Sequence, residues 1–394
     1  MKWPAERIVS SSPKSFGMFE KAVELADAGI DLIHLEVGRP RFDTPQHIKD
    51  ATIAALQAGK VHYGEFPGET ALRRAIVRRL AVKNQMTVKE SEVVVTNGLT
   101  HASYAVIMAA IDPGDEVILL EPYYPQHINK IELAGGRIVL APLDRANNFA
   151  FDPAAVEACI TPRTRMICLV NPANPTGRVF THAELTALAT IAIRHDLLVL
   201  SDEVYDEIVY DGHRHISIAS LPGMYERTFT LFAFTKAYAM DGWRIGYVAA
   251  HEKFIPAILK ITVNDVAHVN VFIQDGALAA LEGSQDCVAQ MVASDRKCRD
   301  LVVSRMNQMS GVKCEMPQGS IYAFPDISAA GKPSQQVADE ILEQCHVVTE
   351  SGTFYGAAGE GYLRICFGAE PYERIAVALD RMARYFAEQN PAHR

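Results

Sequence analysis

Between residues 90 and 250 the chain alternates short apolar, β-branched runs with longer stretches of helical periodicity. The runs cover 92–96, 116–120, 137–140, 165–170, 197–201, 228–234 and 244–249. They are apolar nearly throughout instead of alternating with polar residues, which marks strands covered on both faces in a mainly parallel sheet. Segments long enough for helices lie between them. One spans 100–111 and stops at Asp112-Pro113-Gly114; another spans 182–195 behind Thr181, with Glu184 at the spacing of a capping box. The arginine-rich stretch 72–79 reads as a helix whose arginines lie on a solvated face. From about 264 to 309 the pattern is a long helical stretch, and Pro317-Gln318-Gly319-Ser320 then leads into shorter strands and helices. The expectation is an α/β fold in three parts. A large domain over 46–285 carries a central, mainly parallel seven-stranded sheet, a small α/β domain covers 286–394, and an N-terminal segment, 1–45, packs on the small domain. Reacting groups would lie between the two domains.

The length of 394 residues suits this division, and 49% hydrophobic with 22% charged residues is ordinary for a globular chain. A net charge of -9 argues against a broad nucleic-acid or anionic-membrane surface. No apolar run approaches the ~18 residues needed to span a bilayer, and Ser10-Ser11-Ser12-Pro13-Lys14 interrupts the N-terminus where a secretory signal would be apolar. The seven cysteines are odd in number, never spaced Cys-x-x-Cys, and several lie inside apolar runs. Free thiols in a reducing compartment, the cytoplasm, are expected. The 13 histidines show no ligand spacing, so no metal site is expected. Gly356-Ala357-Ala358-Gly359-Glu360-Gly361 precedes a strand-like run and opens no helix, so it is no dinucleotide fingerprint.

Chemistry enters with Phe234-Thr235-Lys236, at the end of the run 228–234, and with Arg244 eight residues after the lysine. A lysine leaving a strand into a confined space loses solvation, its pKa falls, and its amine can attack a carbonyl. The arginine can hold a phosphate. Together they suggest pyridoxal phosphate; the alternative is a solvated lysine beside a structural arginine. Other segments fit the same group. Asn97-Gly98-Leu99-Thr100 joins a strand to a helix start, where Leu99 and Thr100 would bind phosphate with Arg244 and the Thr235 hydroxyl. Tyr124, in Glu121-Pro122-Tyr123-Tyr124-Pro125, would stack on the ring. Asn171-Pro172-Ala173-Asn174-Pro175-Thr176-Gly177 would aim Asn174 at the phenolic oxygen, and Tyr205 would share it. Asp202, in Ser201-Asp202-Glu203-Val204-Tyr205, is an acid at a buried strand end that needs a cation, which a pyridinium nitrogen supplies. Arg364 lies in the apolar run Tyr362-Leu363-Arg364-Ile365-Cys366-Phe367, either binding a substrate carboxylate or in a structural salt bridge.

With these motifs in this order, the chain resembles the class I/II aminotransferases, pyridoxal phosphate enzymes of fold type I, over nearly its whole length. The resemblance implies that Lys236 is the Schiff-base lysine, Asp202 holds the pyridinium, Arg244 the phosphate and Arg364 the substrate carboxylate. It also implies that Gly38 lines the substrate pocket beside Asn174, and that Tyr63 reaches the phosphate of a neighbouring subunit, so that a homodimer shares its sites. The implied reaction is ping-pong transfer of an amino group from an L-amino acid to a 2-oxo acid, with Lys236 as proton shuttle. Two departures stand out. Ala233 occupies a place where many relatives carry a phosphate-binding serine, which shifts that duty to Thr235, Arg244 and backbone amides. Arg39 and Arg41 stand where family members often carry acids. Arg39 beside the pocket would favour glutamate or aspartate, though a solvated arginine is the reading favoured over it. Two other functions compete. A carbon–sulfur β-lyase would use the same lysine, but eliminating relatives usually carry His at the position of Tyr205. A ligand-sensing regulator domain calls for a helix-turn-helix segment, which residues 1–40 do not contain.

Overall fold

The computed structural model describes residues 3–12 and 17–389. Pro13 and Lys14 of the N-terminal interruption, and residues 390–394 of the expected small domain, lie outside them.

Seven strands form one sheet: β1 Val93–Thr96, β2 Glu116–Glu121, β3 Arg137–Pro142, β4 Thr164–Val170, β5 Leu198–Asp202, β6 Thr228–Ala233 and β7 Gly246–Ala250. Their order is β1-β7-β6-β5-β4-β2-β3. Only β7 runs against the others, antiparallel to both β1 and β6. The continuous apolar runs are explained by burial on both faces. Val117 and Leu119 of β2 pack on one side with helix α1, Gly98–Ala110, while Ile118 and Leu120 pack on the other with helix His182–Arg194. That second helix begins with the expected capping box: the Thr181 hydroxyl accepts from the Glu184 N–H at 3.3 Å, and the Glu184 carboxylate accepts from the Thr181 N–H at 2.8 Å.

A further core gathers helices Asp286–Met306, Ser334–Cys345 and Tyr372–Gln389 around strand Leu363–Cys366. Residues Met18, Ala22, Leu32, Ile33 and Leu35 from the N-terminal part join it, and Ile33–His34 pairs in parallel with Val347–Val348. Strand Leu363–Cys366 is itself the centre of a three-stranded antiparallel sheet.

Three sequence expectations need correction. The stretch 264–309 is not one helix: helices Ile255–Asp265, Val271–Glu282 and Asp286–Met306 are separated by a turn in which Ala267 takes φ +60° and by Gly283. Arg244 lies outside the last strand, at φ +55° in the turn that precedes β7. The arginines of helix Thr70–Lys83 do not all face solvent. Arg73 is buried, donating to the Gly68 carbonyl at 2.8 Å and pairing with Glu65 at 2.9 Å; Arg79 pairs with Asp206 at 2.6 Å. Buried guanidinium is tolerated because its donors are matched. Among the described residues no helix is long and apolar enough to cross a membrane. No group of three or more His, Cys, Asp or Glu there is placed to hold a metal ion. All seven cysteines are free, and Cys168, Cys298, Cys314, Cys345 and Cys366 are buried.

Just past β5, Glu203 is fully buried in a network of its own. It accepts from the hydroxyls of Ser201 at 2.8 Å and Ser217 at 2.9 Å, and its other oxygen lies 2.7 Å from His215 Nε2. Burial opposes protonation of His215, but the Glu203 charge outweighs it and the histidine pKa is raised. A raised folded-state pKa adds stability that is complete below the unfolded value, about 6.5, and is lost as pH rises through the folded one. Replacing Glu203 by Ala strands the ring and hydroxyls, and is expected to cost about 3–5 kcal/mol in urea unfolding. The Glu203→Gln penalty should be largest at pH 6 and shrink as the pH rises.

Candidate active site

The parallel strands end on one side of the sheet, where ligands of open α/β folds bind. The loops leaving those ends converge on a cavity of about 620 Å3, of a size to hold a cofactor and a small substrate. Strand Leu363–Cys366 and the segment from Glu36 to Gly38 close its opposite wall.

Lys236 stands three residues beyond the end of β6, in a turn held by the N–H of Tyr238 on the Phe234 carbonyl and of Met240 on the Thr235 carbonyl. Its ammonium donates to the Gly38 carbonyl. Burial lowers the lysine pKa, so a larger share of the amine is neutral and nucleophilic. Thr235 lines the cavity beside it.

An anion site lies at the start of α1. Gly98, at φ +75°, lets the chain turn from β1 into the helix, and a Cβ there would sit 2.7 Å from Arg244 Nη2. The guanidinium therefore rests against the helix N-terminus, where Leu99 and Thr100 line the cavity and unpaired N–H groups and the macrodipole favour an anion.

Asp202 ends β5. It is buried, accepts from the Val204 N–H at 3.2 Å, and is pushed up to about 7 by that burial. Tyr124 follows β2 and meets the His127 ring edge to face, with centroids 5.4 Å apart. His127 begins helix α2, Gln126–Leu133, and its Nε2 is 3.8 Å from Asp202 Oδ2. Both His127 ring nitrogens are buried without a hydrogen-bond partner, and burial holds the ring neutral.

The opposite wall carries Arg364, buried, which donates to Asn174 Oδ1 at 3.3 Å and to the Glu36 carbonyl, while its Nε has no acceptor. Its guanidinium stacks on Tyr322 and Tyr355, 4.5 and 4.9 Å from the ring centroids. Tyr205 and Tyr322 share a hydrogen bond of 2.7 Å. Gly38 faces the same point, since a Cβ there would collide with the Tyr322 hydroxyl.

The sequence candidates Gly38, Leu99, Thr100, Tyr124, Asn174 and Asp202 thus share one cavity with Tyr205, Thr235, Lys236, Arg244 and Arg364. Tyr63 is not among them: it is 89% exposed and edge-on to His268. Arg39 is exposed and outside the cavity lining, as a solvated arginine would be, and Arg41 is tied to Asp295 at 2.6 Å. Sequence reasoning missed His127, Tyr322, Tyr355, Glu36 and Glu350. Only His127 carried a signal, three residues after Tyr124 on the first turn of a helix begun by a proline.

Pyridoxal phosphate fits these residues. Among the described residues no lysine or arginine forms an ion pair with the buried Asp202, which would suit a protonated ring nitrogen, and the Gly98–Arg244 cradle would suit a phosphate. A family model described as aminotransferase class I and II matches residues 30–382. The chain is 36% identical over 377 residues to an aspartate aminotransferase of Musicola paradisiaca, covering 95% of this chain and 94% of the other. It is 36% identical over 368 residues to an arginine–pyruvate transaminase of Pseudomonas aeruginosa, covering 93% of each. The crystal structure of an aromatic aminotransferase from Pyrococcus horikoshii superposes with a TM-score of 0.89 at 36% identity, over 94% of this chain and 99% of that one.

A methyl group on Gly98 would displace Arg244. Gly98→Ala is expected to weaken pyridoxal phosphate binding about tenfold, the loss of one charge-assisted contact, in a fluorescence titration of the cofactor-free protein.

Proposed function

The chain belongs to the class I and II aminotransferases, fold type I enzymes that use pyridoxal phosphate, and from that premise we propose how its cavity residues divide the work. It moves an amino group from an amino acid to a 2-oxo acid. What supports the division is convergence: Lys236, Asp202, Arg244 and Arg364 face one cavity, and no ion pair joins any two of them.

Pyridoxal phosphate, when bound, supplies a carbonyl that captures the donor amine and a ring that draws electrons from the substrate α-carbon. Lys236 is its point of covalent attachment. Once released, the Lys236 amine is the base that accepts the α-proton, and its depressed pKa suits that task near neutral pH. Asp202 holds a proton on the ring nitrogen, because a cation in contact draws its own pKa back down. Neutral His127 packs against Asp202 and Tyr124 and keeps water from the carboxylate. Asn174 and Tyr205 would donate to the phenolic oxygen of the bound cofactor, and Tyr124 would pack against its ring. Leu99, Thr100, Thr235 and Arg244 hold the phosphate. Arg364 takes the substrate carboxylate, supported by the buried Nε donor that lacks an acceptor, and the absence of a side chain at Gly38 leaves the room.

The core shared by residues 18–35 and the C-terminal elements supports the division into an N-terminal segment, 1–45, a large domain, 46–285, and a small domain, 286–394. A homodimer is supported by the exposed apolar side chains of Ile53, Leu56, Val61, Tyr63 and Phe66, gathered in one stretch of chain. Tyr63 would then complete the phosphate site of the second copy. Unpaired cysteines support a cytoplasmic location. Relatives named for aspartate, arginine and aromatic donors show that membership does not fix the donor.

Addition of single amino acids to the purified yellow protein should bleach the visible band with good donors and yield their 2-oxo acids. A band that persists while ammonia and pyruvate form from cysteine would contradict transfer. Lys236→Ala is expected to lower kcat by at least about 10³-fold with the cofactor still bound. Tyr63→Phe should leave the dimer intact in sedimentation but raise the pyridoxal phosphate dissociation constant about tenfold. A monomer in wild-type sedimentation would defeat the shared-site reading.

A further inference from the structure

Glu350 stands directly opposite Arg364 in the antiparallel pairing of Glu350–Ser351 with Leu363–Cys366. Opposed side chains in such a pair lie on one face with β-carbons about 5 Å apart, and both residues line the cavity. They form no ion pair. The Glu350 carboxylate accepts from the Met18 N–H at 3.1 Å through one oxygen and from the Ser351 N–H at 3.1 Å through the other. Arg364 turns instead to Asn174 and the Glu36 carbonyl. Gly17, at φ +63°, lies so close to the carboxylate that a Cβ there would collide with it. The acid therefore fastens the start of helix Met18–Asp27, whose Phe19 lines the cavity.

Few charges reach Glu350. Arg364 faces it from the opposite strand, and Tyr355 from the turn that follows its own. Glu36 faces it from the N-terminal segment, with His34 behind, 2.9 Å from Glu36. On the fastened helix, Lys21 turns away to Asp339. Burial pushes Glu350 up to about 7, against the pull of Arg364 and of the two N–H groups.

Taking Arg364 as the site of the substrate carboxylate, we propose that Glu350 is a positioning residue that couples the N-terminal cover of the cavity to the charge available on Arg364. Ionised, it holds the helix start most firmly and absorbs part of the guanidinium field. Protonated, it leaves that field to an incoming carboxylate. Affinity for a substrate carboxylate thereby falls as the pH rises through neutrality.

Propionate, a bare carboxylate, tests this as a competitive inhibitor of the holoenzyme between pH 5.5 and 8.5. Glu350→Gln keeps an oxygen for the Met18 N–H but removes the charge. The ratio of inhibition constants, wild type over Glu350→Gln, is expected to be near one at pH 5.5 and about five at pH 8.5. Comparison between the two proteins cancels the titration of groups they share. Glu350→Asp, which keeps the charge, should keep a rising ratio. A ratio constant across the range overturns the proposal, as does a rise that Glu350→Asp abolishes. If Arg364→Lys binds propionate as tightly as wild type, the assignment of Arg364 itself fails and this proposal falls with it.

Discussion

A carboxylate kept out of water, with no lysine or arginine among the described residues in ion-pair contact with it, is the constraint around which the cavity is arranged. Asp202 ends β5 and Glu203 follows it directly, and the two consecutive acids face opposite ways. Glu203 turns into the protein and is matched at once by two hydroxyls and His215. Asp202 turns into the cavity and is given one backbone N–H and a histidine too far away for a good bond. One acid stabilises the fold and its neighbour is left in want of a proton donor. The Val204 N–H and the charges of Lys130 and Lys236 offset only part of the desolvation cost at Asp202, whose pKa stays raised.

The other wall obeys a different rule. Arg364 sits on a strand whose Leu363 and Ile365 belong to the core that the N-terminal and C-terminal parts build together, and its partners Asn174 and the Glu36 carbonyl come from separate stretches of chain. The cavity therefore draws its lining from more than one core, with Lys236 following the seven-stranded sheet and Arg364 on the strand Leu363–Cys366. The spacing of those two residues follows from how the cores meet, which no local segment determines.

Much of this was legible in the sequence, and the reasons differ by element. The sheet was readable because strands buried on both faces must be apolar at every position. All seven came within a few residues of their places, and the one displaced member began with Arg244, whose left-handed turn leaves no mark in composition. Most of the cavity residues were readable because they sit at or just beyond strand ends, several in proline- or glycine-bounded loops, while Arg364 was readable as a charge inside an apolar strand. Tyr322, Tyr355 and Glu350 were not, because their importance comes from a face of the second core meeting the first. Arg73, buried, and Arg79, partly buried, were missed for a similar cause: the acids that neutralise them at Glu65 and Asp206 are not helical neighbours on their own element. The helices within 264–309 merged in the reading because their breaks are short and lack proline.

The one reversed strand carries a last implication. Because β7 runs back beside β6, the end of one strand and the beginning of the next are neighbours in space, and a tight connection suffices between them. Lysine and arginine can then stand eight positions apart in the connection between those adjacent strands and still line the same cavity. Had β7 run with the others, a crossover of a dozen or more residues would have been required, and its first residue would have stood at the opposite end of the strands. The short interval between the two residues is thus a ruler for topology: wherever it is kept, the direction of a strand is written into the spacing of a motif.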